Sequence, residues 1–558
     1  MGSSNNFFSR LNAMFISFLL FISNLLFPGS DWIADRINDA SFFVDTANAG
    51  AIMGNKVSNF NAWSSLSVPA ETAYVNANPM QFVEYIQLMQ CTGGSEERDL
   101  FQDPLDRTVL DDYDFSSLIT ACRNVLALGA KPHIKTGNVP LKLTTNPKIG
   151  VFGVNVYPPD DYNQYYTYIA AIAAALVQEF GLAEVQTWRF GVLTEFENSD
   201  WFMARSGNPQ ESFVAYCKLY DYTLAALQSV VGPEVIIGAH AMAVSEGLWD
   251  EGKFIEHCAT GTNWVTGETG SRICFLTASY YDSSPTKLRD NNVADVVNAL
   301  RAKAESAGLS GLLYGVDEGR IYGSAKGGVD SQLLRIVGQT YQASYDARML
   351  RLQVENGIDY FSSWGYTSDA MFGGYPSVAY HVAEQYANVL SGKNHLPHTL
   401  TKQHKIPGAE VDLVAGIDET TRTVGVMVYN FKPAWNYTIA ADLRVDIKLP
   451  AGSGDTVIVT CRIVDDNANF FDEWEADRKA NNIGADAFAW SCDDPAVESF
   501  TTLQAPWARD FYFENLRDSY IEASRLVSET TAYAVTNGQI TLATKLPPYA
   551  AVFYEISY

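Results

Sequence analysis

From about residue 80 to 370, short β-branched and aromatic runs alternate with longer amphipathic stretches, the order produced by parallel strands joined through helical crossovers. The strands centre on Phe82–Met89, Lys131–Thr136, Gly150–Asn155 or an earlier segment near Val57–Trp63, Val185–Glu195, Val235–His240, Ile273–Tyr281, Leu312–Glu318 and Ile358–Trp364. Between them, Phe115–Leu128 and Val293–Ala307 read as helices closed by Gly129 and Gly308, where a left-handed cap is wanted. A third helix is expected over Gln332–Arg351. Strand and helix alternating over about 290 residues predict a (β/α)8 barrel, whose chemistry gathers at the C-terminal ends of the strands.

After residue 400 the period changes. In Leu443-Arg-Val-Asp-Ile-Lys-Leu449 the apolar residues fall on one face and the charged ones on the other, as in a half-buried antiparallel strand. Similar runs at Glu410–Gly416, Arg422–Tyr429, Thr456–Val464, Gln539–Ala543 and Ala550–Ile556 predict a β-sandwich, interrupted by a helical insert near Trp507–Val527. The expected division is therefore a hydrophobic segment at 1–30, a barrel at 31–398 and a sandwich at 399–558. The strand-like residues of about 40–55 are candidates to join the sandwich. Within the first segment the apolar run of residues 11–28 has the length of an export or anchoring segment, or of a helix packed on the folded body. It is the only expected point of membrane contact. Export would make the protein secreted or bound to the cell envelope, and packing would leave it cytoplasmic.

Composition excludes whole classes of function. A net charge of -26 leaves no concentrated basic surface to displace counterions from a phosphate backbone, so nucleic acid is not the partner. The seven cysteines form no C-x-x-C pair and no cluster with histidine, which removes a structural zinc site. No metal and no cofactor are expected, and self-association stays open.

Two of the proposed strands end in carboxylates, in Phe190-Gly-Val-Leu-Thr-Glu195 and Leu312-Leu-Tyr-Gly-Val-Asp-Glu318. Glycoside hydrolysis needs such a pair, one carboxylic acid to protonate the departing oxygen and one carboxylate to attack the sugar or activate water. Three βα units of about 40 residues fit between them, which sets them on opposite sides of a barrel mouth. Glu197 rivals Glu195, because residues two apart on a strand share a face. Asp317 rivals Glu318, and by the same alternation only one of these neighbours can look inward. His133 and Lys135, near the end of Lys131–Thr136, could add a cation to the cleft and suit an acidic sugar.

These residues also carry a resemblance. Trp188-Arg-Phe-Gly-Val-Leu-Thr-Glu195 resembles the strand-four acid/base motif W-x-F-E-V-W-N-E-P of glycoside hydrolase family 39, the β-xylosidases and α-L-iduronidases of a retaining (β/α)8 clan. Gly315-Val-Asp-Glu318 resembles that family's strand-seven nucleophile. Phe275-Leu-Thr-Ala-Ser-Tyr-Tyr281 is similar to the strand-six segment that brings a tyrosine to the nucleophile, and Trp364 to the strand-eight tryptophan beneath the sugar. Cys461–Asn469 with Trp474, and Leu546–Ile556, resemble segments of the family's sandwich. The resemblance implies Glu195 as acid/base, Glu318 as nucleophile, Tyr281 as its support, Trp364 as a stacking platform and a glycoside or oligosaccharide as substrate. Two departures stand out: Thr194 where the clan has asparagine beside the acid/base, and Ser279 where strand six usually has histidine. They keep alive two other readings, a carbohydrate-binding protein that has lost turnover and a transglycosylase using the same glutamates.

Overall fold

The computed structural model describes residues 38–65, 68–71, 74, 76–243, 247–321, 340–363, 376–434, 436–481 and 510–558. The run at 11–28, Trp364, and the first residues of the expected Gln332–Arg351 and Trp507–Val527 helices lie outside them.

One strand, β1 (Asp39–Asp45), precedes a closed parallel barrel of eight. These are β2 (Asn59–Ser64), β3 (Tyr85–Gln90), β4 (Lys131–Thr136), β5 (Arg189–Val192), β6 (Ile236–Ala241), β7 (Phe275–Asp282), β8 (Leu313–Ile321) and β9 (Tyr360–Ser363). The first strand is thus the earlier of the two proposed segments. Residues 150–155 instead form a loop, held by the Gly150 amide on the Val154 carbonyl at 2.8 Å and a single bridge between Ile149 and Asn155. Neighbours decided between the two runs, since Asn59–Ser64 finds β3 on one side and β9 on the other.

The intervening helices begin and end where local chemistry directs. Val293–Ala307 opens with Asn292 accepting from Ala294 and Asp295 while the Asp295 side chain returns to the Asn292 amide, and it closes on Gly308 at φ 95. Such a reciprocal cap satisfies amides that the first turn leaves bare, and losing it costs about 1 kcal/mol. The buried face, Val293, Val296, Val297, Leu300 and Ala304, packs on the barrel side.

Beyond the barrel lie β10 (Asn394–Leu396), β11 (His398–His404), β12 (Glu410–Asp418), β13 (Thr423–Phe431), β14 (Ala441–Lys448), β15 (Thr456–Val464), β16 (Ser528–Ala534), β17 (Gln539–Leu546) and β18 (Ala551–Ser557). They make a four-stranded sheet, β11-β1-β14-β17, and a six-stranded one, β10-β12-β13-β18-β15-β16. Phe42, Val44, Val445 and Ile447 from the first sheet share a core with Val426, Val428 and Val552 from the second. β1 runs parallel to β14 and antiparallel to β11, so the start of the described chain belongs to the sandwich sheet. Helix Tyr341–Glu355 joins the two parts through Arg348 and Arg351, which reach Glu410 at 3.0 and 3.1 Å.

The barrel interior is polar. Asn61, Gln87, His133, Lys135, His240 and Asp317 are all wholly buried. Glycine makes the room, for a Cβ on Gly191 would come within 2.7 Å of Lys135 Cδ and one on Gly315 within 2.9 Å of the Tyr360 ring.

Candidate active site

Strand β8 carries two adjacent carboxylates inward because its register slips. Ala278 pairs with Val316, but the next residue, Ser279, pairs with Glu318, so Asp317 is an extra residue in β8. Such a bulge breaks the alternation of faces and re-aims the side chains around it. The expectation that only one of Asp317 and Glu318 looks inward is therefore corrected. Asp317 forms an ion pair with Lys135 Nζ through Oδ2 and accepts the Tyr360 hydroxyl at 2.9 Å through Oδ1. Its main-chain oxygen accepts from Asn61 Nδ2 at 2.8 Å and Gln87 Nε2 at 3.2 Å. Burial opposes its ionisation, but the neighbouring Lys135, His240 and His133 outweigh burial and hold the carboxyl below the usual range. Glu318 is the next residue toward the mouth, and its Oε1 accepts from Ser279 Oγ at 3.4 Å.

Glu195 arrives from a different geometry. β5 ends at Val192, and both Leu193 (φ 64) and Glu195 (φ 43) take left-handed backbone conformations that no glycine eases. Each costs of order 1–3 kcal/mol, which the surroundings must supply. They do so with the Leu193 amide on the Thr136 carbonyl at 2.7 Å, the Phe196 amide on the His240 carbonyl at 3.0 Å, and the Asn198 amide on the Glu195 carbonyl at 2.7 Å. The turn aims Glu195 at the barrel mouth, where its Oε2 accepts from Asn198 Nδ2 at 2.7 Å and its carboxyl lies near enough to Ser279 and Glu318 for both to affect its ionisation. Burial raises its pKa, and the neighbouring Ser279, Asn198 and Glu318 offset only part of that rise.

Since the chain has left the strand, Glu197 does not share the face of Glu195. Its wholly buried carboxyl accepts from the amides of Met242 at 2.7 Å and Ala243 at 3.2 Å, tying down the segment after β6. Burial lifts its pKa to about 8.

The other sequence candidates divide. Thr194 is buried beside Glu195, and its Oγ1 has no hydrogen-bond partner among the described residues. Tyr281 is half-buried and stands level with Arg320, two residues beyond the Ser279–Glu318 pair. Lys135 and His133 do not line the cleft as expected. Both are wholly buried within the barrel, Lys135 paired with Asp317 and His133 edge-on to Phe275 at 5.3 Å. A free cation there would be costly to desolvate, and pairing removes it from any acidic sugar. Three residues were missed. Asn198 could have been noticed as a polar residue three after the glutamate in a turn. His240, a lone histidine ending an apolar strand, gave the weaker signal, and Ser279 was seen only as a departure.

The chain matches the model of glycosyl hydrolases family 39 over residues 101–476. It is 30% identical over 148 residues to a beta-xylosidase of Geobacillus stearothermophilus, an alignment covering 26% of this chain and 28% of that relative. The chain thus spans well under half the length of the curated relatives it matches. A GH39 enzyme from Xanthomonas axonopodis pv. citri has a similar structure, with TM-score 0.64 at 15% identity over 94% of this chain and 98% of that one. A monomeric beta-xylosidase from Caulobacter crescentus CB15 gives TM-score 0.62 at 16% identity over 93% and 99%. At such identities the solved structures speak for the shared (β/α)8 fold with its accessory sheets.

Proposed function

The chain belongs to glycosyl hydrolases family 39, and from that membership we propose that it is a retaining glycosidase, releasing a terminal sugar by double displacement with Glu195 as acid/base and Glu318 as nucleophile. One observation carries the reading: the Glu195 carboxyl, just past the fourth barrel strand, and the Glu318 carboxyl, on the seventh, lie close enough at the C-terminal mouth for Glu318 to bear on the ionisation of Glu195. Retention goes with carboxyls about 5–5.5 Å apart and inversion with about 6.5–9.5 Å, which admits a water, so a closely set pair favours retention.

Burial pushes the Glu195 pKa upward, the direction a general acid requires. Glu318 oxygen attacks the anomeric carbon, the glycosidic bond breaks, and the departing oxygen takes the Glu195 proton. A glycosyl ester on Glu318 results. The nucleophile has then lost its charge, which lets Glu195 ionise and take a proton from water as that water attacks the same carbon and frees Glu318. Lys135 is one residue away through Asp317, and its charge also favours an ionised Glu318. A β-xyloside is the first substrate to try, because two of the similar proteins are named beta-xylosidases.

A panel of aryl glycosides tests the assignment. Glu318→Ala should abolish turnover, and added azide should restore release of the aryl group with formation of a glycosyl azide. Undiminished turnover in Glu318→Ala would reject the nucleophile. A wild-type protein that binds oligosaccharide without cleaving any of the panel would favour a binding role, and transfer to sugar acceptors in place of water would mark a transglycosylase.

A further inference from the structure

Ser279 stands where three functional groups meet. Its Oγ lies 2.9 Å from His240 Nε2, donates to Glu318 Oε1 at 3.4 Å and is near enough to Glu195 to favour that carboxyl's anion. A serine hydroxyl has one proton and two lone pairs. It cannot donate to the imidazole and to a carboxylate at once, so the tautomer of His240 decides which it does. Burial and the Lys135 charge push the His240 pKa down to about 3, leaving the ring neutral with one N–H. Its Nδ1 is 3.9 Å from Asp317 Oδ2, beyond hydrogen-bonding reach, and has no other partner among the described residues. The pull of Asp317 on an Nδ1 proton is largely cancelled by Lys135, whose Nζ pairs with the same oxygen. Nε2, by contrast, has Ser279 at bonding distance. The ring proton therefore sits on Nε2 and is donated to Ser279 Oγ, and the serine proton is left for the carboxyls.

We propose that His240 and Ser279 are a positioning pair whose hydroxyl proton changes partner during the cycle, from Glu318 before attack to Glu195 once Glu318 is esterified. The idea rests on the roles given to Glu195 and Glu318 above. A hydroxyl donates preferentially to the charged partner, since charge-assisted bonds are roughly twice as strong as neutral ones. In the resting enzyme the charge is on Glu318. When the departing oxygen takes the Glu195 proton, the charge passes to Glu195 and a rotation of the Ser279 O–H follows it. The groups facing this hydroxyl are Glu195, Glu318 and His240, with Asp200 acting on Glu195 from its turn and Lys135 and Asp317 acting from beneath. Neither Ser279 nor His240 gains or loses an atom over the cycle.

A dinitrophenyl β-xyloside isolates the second half of the reaction, because so acidic a leaving group departs without a proton and kcat reports Glu195 acting as base. Ser279→Ala should lower kcat roughly tenfold or more. It should also move the acidic limb of the kcat profile upward by about one pH unit, because the Glu195 anion has lost a donor. Ser279→Thr, which keeps the hydroxyl, should restore both. An unmoved limb in Ser279→Ala, or an equal loss in Ser279→Thr, overturns the proposal. A fluorinated xyloside that traps the glycosyl ester, located by peptide mass, separates the two possible failures. No ester on Glu318 overturns the reading of the site and the proposal with it, whereas an ester on Glu318 with an unmoved limb overturns the proposal alone.

Discussion

Replacing Glu197 by glutamine offers a sharp test of how this barrel handles a buried carboxyl. In the folded chain burial carries the Glu197 pKa from 4.5 to about 8, while in the unfolded chain it returns to the ordinary value. The folded state therefore binds one more proton than the unfolded state between those limits. The resulting stability is fully present below about pH 4.5, falls as pH rises, and is lost by about pH 8. Each pH unit across that window is worth about 1.4 kcal/mol, so the whole effect is about 5 kcal/mol. Glutamine keeps an oxygen to accept from the Met242 and Ala243 amides but has no proton to lose. Denaturant unfolding of the two proteins over this pH range should give equal stabilities at the acid end and a glutamine variant more stable by several kcal/mol at the alkaline end. Parallel profiles would refute the reasoning. A loss of turnover of roughly a hundredfold or more would instead make Glu197 the acid/base in place of Glu195.

Lys135→Met should cost about 3–5 kcal/mol, because it strands the buried Asp317 charge, and adding Asp317→Asn should recover much of it; chemical denaturation reads both. Gly315→Ala should cost about 1–3 kcal/mol by driving a Cβ into the Tyr360 ring, seen as a lowered unfolding midpoint. Asn198→Ala removes a donor that favours the Glu195 anion, so the basic limb of kcat/KM should move to higher pH.

The barrel was legible because strand and helix periods depend on local pattern alone. Where the pattern was shared the sequence could not choose: 57–63 and 150–155 are similar short runs, and only pairing with β3 and β9 singles out the first. The glutamates were legible as strand-end carboxylates, but their surroundings were not. Nothing in Leu193-Thr-Glu195 betrays two left-handed residues, since glycine and asparagine are absent and the conformation is imposed by amide bonds to Thr136 and His240. His240 and Ser279 lie on neighbouring strands, and a contact across 39 positions has no local signature. His133 and Lys135 were misplaced for the same reason, because the partner that withdraws Lys135 from the cleft is on β8.

Asp317 shows why a polar barrel interior can coexist with a stable fold. A buried ion pair is weak evidence for stability, because desolvating both charges offsets most of their attraction and an apolar pair of similar volume often does as well. The Lys135–Asp317 pair is therefore better understood through what it shapes. The main-chain oxygen of Asp317 is held by Asn61 and Gln87, and its side chain by Lys135 and Tyr360. Four strands, β2, β3, β4 and β9, thus grip the one extra residue of β8. That grip keeps the register slip from relaxing, and the slip is what turns Glu318 toward Ser279 and the mouth. An apolar substitute for the pair would preserve the packing while releasing the side-chain half of the grip. Loss of the ion pair should therefore be felt in the alignment of Glu318 even where a second substitution restores stability.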